Sequence, residues 1–355
     1  MSSPTRPILR SRPLRPLLLA AAATLGAGLL TACASDQSAA DASSDGLTVV
    51  ASTSVYADIA RQVAGDRASG ESVISDPTAD PHSYEASPAD AAEVATADLV
   101  VYNGAGYDPF VDMALENADE VPVVRAVDEF ERATGQTIAG HAHGDHHGHG
   151  ADDEHDHENS DGHSDRGETN EHVWFSLDTA AAVAERVADE LSELDRAGAQ
   201  EYHANAQRFT EALAPLGERL EQIHDLGHLP YAQTERVAGH LFDAAHMSDL
   251  TPRGFLAAIE DDTDPPAADL STLLDLVSGQ RVTFLAFNTQ TATPVTSRVR
   301  EAAENADVVV VDVAETLPEG TDYLTWITDI VDSVSDAVGA APPADPAAPL
   351  PDGGR

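Results

Sequence analysis

Short apolar runs alternate with amphipathic segments in two series along the chain, and a long helical stretch separates the two. LTVVAST (47–53) precedes SVYADIARQVAGD (54–66), and DLVVYNG (98–104) and VPVVRAV (121–127) bracket YDPFVDMALENA (107–118). Strands that are apolar along their whole length suit a sheet covered on both faces, which means parallel strands joined by crossover helices. The alternation returns in RVTFLAF (281–287), PVTSRVREAAENA (294–306), DVVVVDV (307–313) and YLTWITDIVDSVSDAV (323–338). Between the series, residues 176–227 keep a helical period interrupted only by Gly198, Pro215 and Gly217. They read as two consecutive helical segments, the second long and kinked near Pro215. The expected architecture is α/β, with one lobe over 47–175, linker helices over 176–227 and a second lobe over 228–338. Right-handed crossovers would bring the strand C-terminal ends of the two lobes to a shared crevice.

The N-terminus carries an export signature. Arg6, Arg10, Arg12 and Arg15 form a basic region before LLLAAAATLGAGLL (17–30), an apolar stretch of signal-peptide rather than membrane-spanning length. It ends in Leu30-Thr31-Ala32-Cys33, which matches a bacterial lipobox, with the only cysteine of the chain as the lipidated residue. The expectation is a signal peptide over 1–32, a lipid anchor on Cys33 and a flexible tether over 33–46. The mature protein would then sit on the extracellular face of the cytoplasmic membrane. A lone cysteine excludes an intramolecular disulfide, so the fold must rest on its cores. Residues 339–355, rich in Pro, Ala and Gly, read as a disordered tail.

The chain has 62 acidic residues, 19 arginines and no lysine, for a formal net charge of −43. Such a surface repels phosphate backbones and anionic headgroups, which disfavours nucleic-acid binding, and it concentrates cations. The histidines are unevenly spread. HAHGDHHGHGADDEHDHENSDGH (141–163) holds His141, His143, His146, His147, His149, His155, His157 and His163 among Asp, Glu and Gly. With two alanines as its only apolar residues, the tract has no means of building a core. Flexible imidazoles bind Zn²⁺, Cu²⁺ or Ni²⁺ adaptably, so the tract reads as an accessory metal-collecting or sensing loop rather than the selective site.

A selective site needs ligands on rigid elements. DPHSYEASPAD (80–90) places His82 after SVISD (72–76) and before a helix opening at Ser87-Pro88, and NEHVWFSLD (170–178) places His172 just before the helical stretch. Both lie in loops at element ends, where binding residues concentrate. Taken together, the two motifs resemble those of the metal-specific (cluster A-I) solute-binding proteins of zinc and manganese ABC importers. The resemblance covers about 47–338 and extends to the placing of a His-rich insertion between the two motifs. It implies two lobes of periplasmic-binding-protein type around a cleft ligand set of His82, His172, Glu235 and Glu315. Glu235 comes from TERVAGHLFDAA (234–245), four residues before Gly239, and Glu315 from VVVVDVAETLP (308–318). His240 or His246 could stand in for Glu235, and Asp312 could compete with Glu315. Glu171 departs from the family's usual Pro before the second His.

The function implied is capture of a divalent cation and delivery to an ABC permease with its ATPase, by a lipid-anchored monomer without enzymatic activity. Zinc is the expected cargo, because a loop of imidazoles is poorly matched to manganese. The two carboxylates argue for Mn²⁺ as the alternative. A secreted zinc hydrolase is the remote rival, since His/His/Glu is also a catalytic-zinc set. No HExxH is present, and four protein ligands would leave little room for an activated water.

Overall fold

Four strands build each of two parallel sheets. The computed structural model describes residues 46–116, 118, 120–138 and 170–340. The expected signal peptide, Cys33, nearly all of the tether, the His tract 141–163 and residues 341–355 lie outside them.

The first lobe runs β1 (Leu47–Thr53), α1 (Ser54–Ala64), β2 (Ala68–Ile74), α2 (Pro88–Ala95), β3 (Leu99–Tyr102), α3 (Pro109–Leu115), β4 (Val123–Arg125) and α4 (Ala126–Thr134). Two helices follow, α5 (Leu177–Leu194) and α6 (Ala199–His224). The second lobe comprises β5 (Pro230–Gln233), α7 (Gly239–Ala244), β6 (Ser248–Asp249), α8 (Arg253–Glu260), α9 (Ala267–Ser278), β7 (Phe284–Asn288), α10 (Pro294–Asn305), β8 (Val309–Val313) and α11 (Tyr323–Ala340). The sheets repeat one topology, β2-β1-β3-β4 and β6-β5-β7-β8, with every pair parallel. In each, the first strand lies between the second and the third, so the chain's direction of winding reverses beside β1 and beside β5. Ligand crevices of open parallel sheets form at such reversals.

The period of two assigns each strand to two cores. Val49, Ala51, Leu99, Val101, Phe284 and Ala286 face a central core shared with α1, α5, α6 and α11. Val50, Val100 and Tyr102 face a second core with Phe110 and Val111 of α3, and Leu285 faces a third with Phe255, Leu273 and Val299. The central core includes residues of both lobes, among them Trp174, Tyr202, Phe242 and Trp326.

Several boundaries differ from the sequence reading. The run 121–127 is strand only over Val123–Arg125, and its Ala126 and Val127 begin α4. Of the two linker segments, α5 lies against α1 and α4 and so belongs to the first lobe's helical layer, whereas α6 touches α1 on one side and α7 and α11 on the other. Pro215 lies inside α6, which continues through it as one helix. α11 extends to Ala340, beyond the expected start of the tail. It also returns to the first lobe: Tyr323 donates its backbone N–H to Asp58 (2.9 Å) and its hydroxyl to the Trp174 carbonyl (2.6 Å). No described helix is long and apolar enough to cross a membrane.

Candidate metal site

Loops that leave strand C-termini carry His82, Glu235 and Glu315, and His172 opens the turn before α5. His82 follows β2 in a turn whose Asp80 carboxylate accepts from the His82 backbone N–H (2.9 Å) and the Ser83 hydroxyl (2.9 Å). The loop ends in a capping box, Ser87 with Asp90, that starts α2 with Pro88 in its first turn. His172 opens a buried helical turn, Val173–Phe175. Its ring lies against Trp174 and Tyr107, at centroid distances of 5.2 and 5.8 Å. Asn170 orients that ring. The Asn170 Nδ2 donates to the Arg236 carbonyl (2.8 Å), which turns its Oδ1 toward the backbone N–H of His172 (3.0 Å) and toward Nδ1 (2.7 Å). The proton therefore sits on Nδ1, and Nε2 is left with a free lone pair facing the cleft.

Glu315 lies two residues beyond β8, and its backbone N–H donates to the Gln290 side chain. Its Oε2 is 3.3 Å from His82 Nε2 and 3.8 Å from His172 Nε2. One donor atom from each of these three residues falls within 4.8 Å of the others. His172 Nε2 has no hydrogen-bond partner, Glu315 Oε2 has none beyond its contacts with the two imidazoles, and both atoms are buried. Buried polar atoms are nearly always satisfied, so two such atoms aimed at one point fit a cation. The His82 side chain is 34% exposed against 5% and 1% for His172 and Glu315, which makes it the open side of the site.

The electrostatics match a cation cradle that holds protons when no metal is present. Burial pulls the His82 pKa down, but the Glu315 carboxylate outweighs it, with Glu171 and Asp80 adding to the effect, and the value rises to about 9. Burial also opposes charge on His172, yet Glu315 and Glu171 raise its pKa. Burial pushes Glu315 up, and the two imidazoles overcome it and hold the carboxyl well below its usual range. Glu235 behaves in the opposite sense: burial and the Glu315 charge raise it, and bonds from Thr291 and Asn288 only partly offset them.

Of the four residues the resemblance implied, the structure thus brings His82, His172 and Glu315 into one cluster. Glu235, 6% exposed and two residues past β5, borders it without joining it. The Asn288 amide stands between the two carboxylates and donates to Glu235 Oε2 (2.6 Å) and Glu315 Oε1 (3.1 Å). The alternatives lie elsewhere. His240 Nε2 is 2.8 Å from the Asn170 carbonyl, His246 lies beside His224, and Asp312 is an exposed residue paired with Arg300.

Sequence reasoning missed the supporting residues. Glu171, noted only as a departure, places its carboxylate 3.9 Å from His82 Nδ1. Asn103 and Asn288 hold equivalent positions beside the third strand of each sheet, in LVVYN and FLAFN. Asn103 donates to the Glu171 carbonyl (2.9 Å) as Asn288 does to the two glutamates. Repetition of an Asn after an apolar run was the available signal.

Comparison with known proteins places the chain in a family. Residues 49–337 match the family model described as zinc-uptake complex component A, periplasmic (ZnuA). The metal ABC transporter substrate-binding lipoprotein ScbA of Streptococcus cristatus is 28% identical over 54% of this chain and 56% of its own length. The manganese ABC transporter substrate-binding lipoprotein PsaA of Streptococcus pneumoniae is 29% identical over 72% of this chain and 76% of its own length. The chain spans about half the length of several of these curated relatives. Among solved structures, the periplasmic zinc binding protein TroA from Treponema pallidum superposes with a TM-score of 0.63 at 16% identity, over 82% of this chain and 99% of TroA. The Mn-bound periplasmic metal binding protein from Candidatus Liberibacter asiaticus gives 0.58 at 20% identity, over 81% and 99%. These two likenesses concern the fold.

Proposed function

Because the chain belongs to the ZnuA family of periplasmic zinc-uptake components, we propose that it captures a divalent metal ion between its lobes and delivers it to an ABC permease and ATPase. The observation that carries this reading is the buried meeting of His82 and His172 with Glu315, in which His172 Nε2 and Glu315 Oε2 lack any other partner. The two histidines come from the first lobe and Glu315 from the second, so metal capture and lobe closure are one event. The ligand set proposed is His82, His172 and Glu315, with Glu235 as the fourth ligand once it parts from Asn288. Cys33 would carry the lipid anchor that holds the monomer on the extracellular face of the membrane.

Zinc is the cargo we propose. Two imidazoles and a carboxylate suit Zn²⁺, and the His tract 141–163 would gather the same ion. Manganese is the second reading, favoured by the nearness of Glu235, since two carboxylates harden the site. Competitive titration of the chain from Cys33 onward, intact and lacking 141–163, decides between them. Zinc is supported by one tight site that survives the deletion and resists Mn²⁺. A surviving site that prefers Mn²⁺ replaces zinc with manganese. Loss of tight binding on deletion refutes the cleft as the site.

A further inference from the structure

Outside the tract, the chain has seven histidines, and three of them meet at the end of the second lobe away from the cleft. We propose that His224, His228 and His246 form a second site for an imidazole-seeking divalent cation such as zinc, copper or nickel.

The three come from separate places in the chain. His224 ends α6, His228 lies in the loop before β5, and His246 lies in the loop before β6. His228 precedes β5 and Glu235 follows it, so the strand separates this cluster from the cleft. The His224 and His246 ring centroids are 3.9 Å apart, and those of His228 and His246 are 6.4 Å apart. The 5.7 Å between His82 and His172 in the cleft falls between these values.

Two features prepare the rings for a metal. His228 Nδ1 is 3.1 Å from the His246 carbonyl, which places the proton on Nδ1 and leaves Nε2 as a free donor. An imidazole that donates its other N–H to a backbone carbonyl is the usual state of a ligating histidine. His246 has a left-handed backbone (φ 50°), held by its own N–H to the Asp243 carbonyl (2.9 Å) and by Met247 N–H to the Phe242 carbonyl (3.1 Å). That turn presents its ring to the end of α6. His228 and His246 are exposed, and as placed the nitrogens of this cluster do not converge as those of the cleft do, so a bound metal would have to turn the rings inward. A chain of net charge −43 draws cations to such a surface. With imidazoles as the donors, the site selects borderline ions and rejects Mn²⁺. Its loading is independent of the cleft.

The test is site-resolved histidine modification by diethylpyrocarbonate, read by mass spectrometry on the full chain with zinc alone as the added ligand. At zinc about tenfold above the dissociation constant, modification of His228 and His246 should slow by about tenfold. In the His246→Gln variant, zinc should no longer protect His228. In the His82→Ala variant, protection of His228 and His246 should persist, which separates this site from the reading of the cleft. Unchanged modification of His228 on adding zinc overturns the proposal. So does undiminished protection of His228 in His246→Gln, because it would then bind alone, and so does loss of protection in His82→Ala.

Discussion

His82 Nε2 lies 3.3 Å from Glu315 Oε2, a contact between a loop of the first lobe and a turn of the second that forms where a metal would bind. The pair stabilises the closed arrangement, and a proton on His82 occupies the place of the cation. Its consequences for metal binding and for stability run in opposite directions with pH.

The folded pKa of His82 is about 9, above its ordinary value of 6.5. Metal must therefore displace a proton at neutral pH, and apparent affinity should rise by up to about tenfold per pH unit between 6.5 and 9. The metal-free protein follows the reverse course. A raised histidine pKa contributes stability that is complete below 6.5 and is lost as pH climbs through 9. Calorimetric titration in buffers of different ionisation enthalpy should show proton release on zinc binding at pH 7.5, and thermal melting should show the apo protein weakening from pH 7 to 9. Binding without proton release would contradict the arrangement.

Gln290 links the same two segments through its side-chain amide. Its Oε1 accepts from the backbone N–H groups of Glu315 and Thr316, while Nε2 donates to the Pro77 carbonyl (2.8 Å) and the Thr316 hydroxyl (2.8 Å). Each such bond contributes about 1 kcal/mol. Only the Pro77 bond crosses between the lobes, so Gln290→Ala should loosen closure by about 1 kcal/mol and speed metal release by about fivefold, as measured by stopped-flow transfer to a chelator. Gln290→Glu keeps the acceptor for Glu315 but loses the donor for Pro77, so it should release metal faster than the parent while keeping the Glu315 turn. A release rate equal to the parent's in both variants would remove Gln290 from the closure.

The difference between legible and hidden features follows from the range of the interactions involved. β1, β3 and β7 were readable because burial on both faces writes a mainly apolar run, and β8 because only Asp312 interrupts its valines. β5 and β6 were not, since PYAQ carries a proline and a glutamine and β6 has only two residues. The helix between them, α7, has only six residues. His82 and His172 stood out through motifs whose surroundings are local, the Asp80 turn and the Asn170 bond. Gln290 did not, because NTQT reads as an ordinary turn and its partner Pro77 is 213 residues away. Asn288 is similar: it shows its purpose only when two glutamates from other loops meet its amide.

That amide carries a second stability prediction. Asn288 is 1% exposed and is the donor between two buried carboxylates. Asn288→Asp would replace a donor with a third acidic group, and the loss of hydrogen bonds to charged groups should cost the apo protein about 3 kcal/mol or more. A bound divalent cation neutralises the surplus charge, so zinc should recover more thermal stability in the variant than in the parent. Melting curves with and without zinc check this. Equal gains in both proteins would show that the metal does not reach the carboxylates.

Glu235 and Glu315 should not be equivalent. Glu315 already faces both imidazoles, whereas Glu235 is held back by Asn288 and Thr291 and must move to reach a metal. Glu315→Gln removes the only acid of the three-residue cluster and should abolish tight binding of either metal. Glu235→Gln should weaken zinc by about 10- to 100-fold, less than the loss of Glu315, because Glu235 must first give up its bonds from Asn288 and Thr291 to bind the metal. It should weaken manganese more, because it removes a hard oxygen and leaves the imidazoles in place. Competition titrations of the two variants with Zn²⁺ and Mn²⁺ measure this directly. If Glu235→Gln proves as damaging as Glu315→Gln, the bonds from Asn288 and Thr291 do not hold Glu235 back, and the two acids are equal ligands.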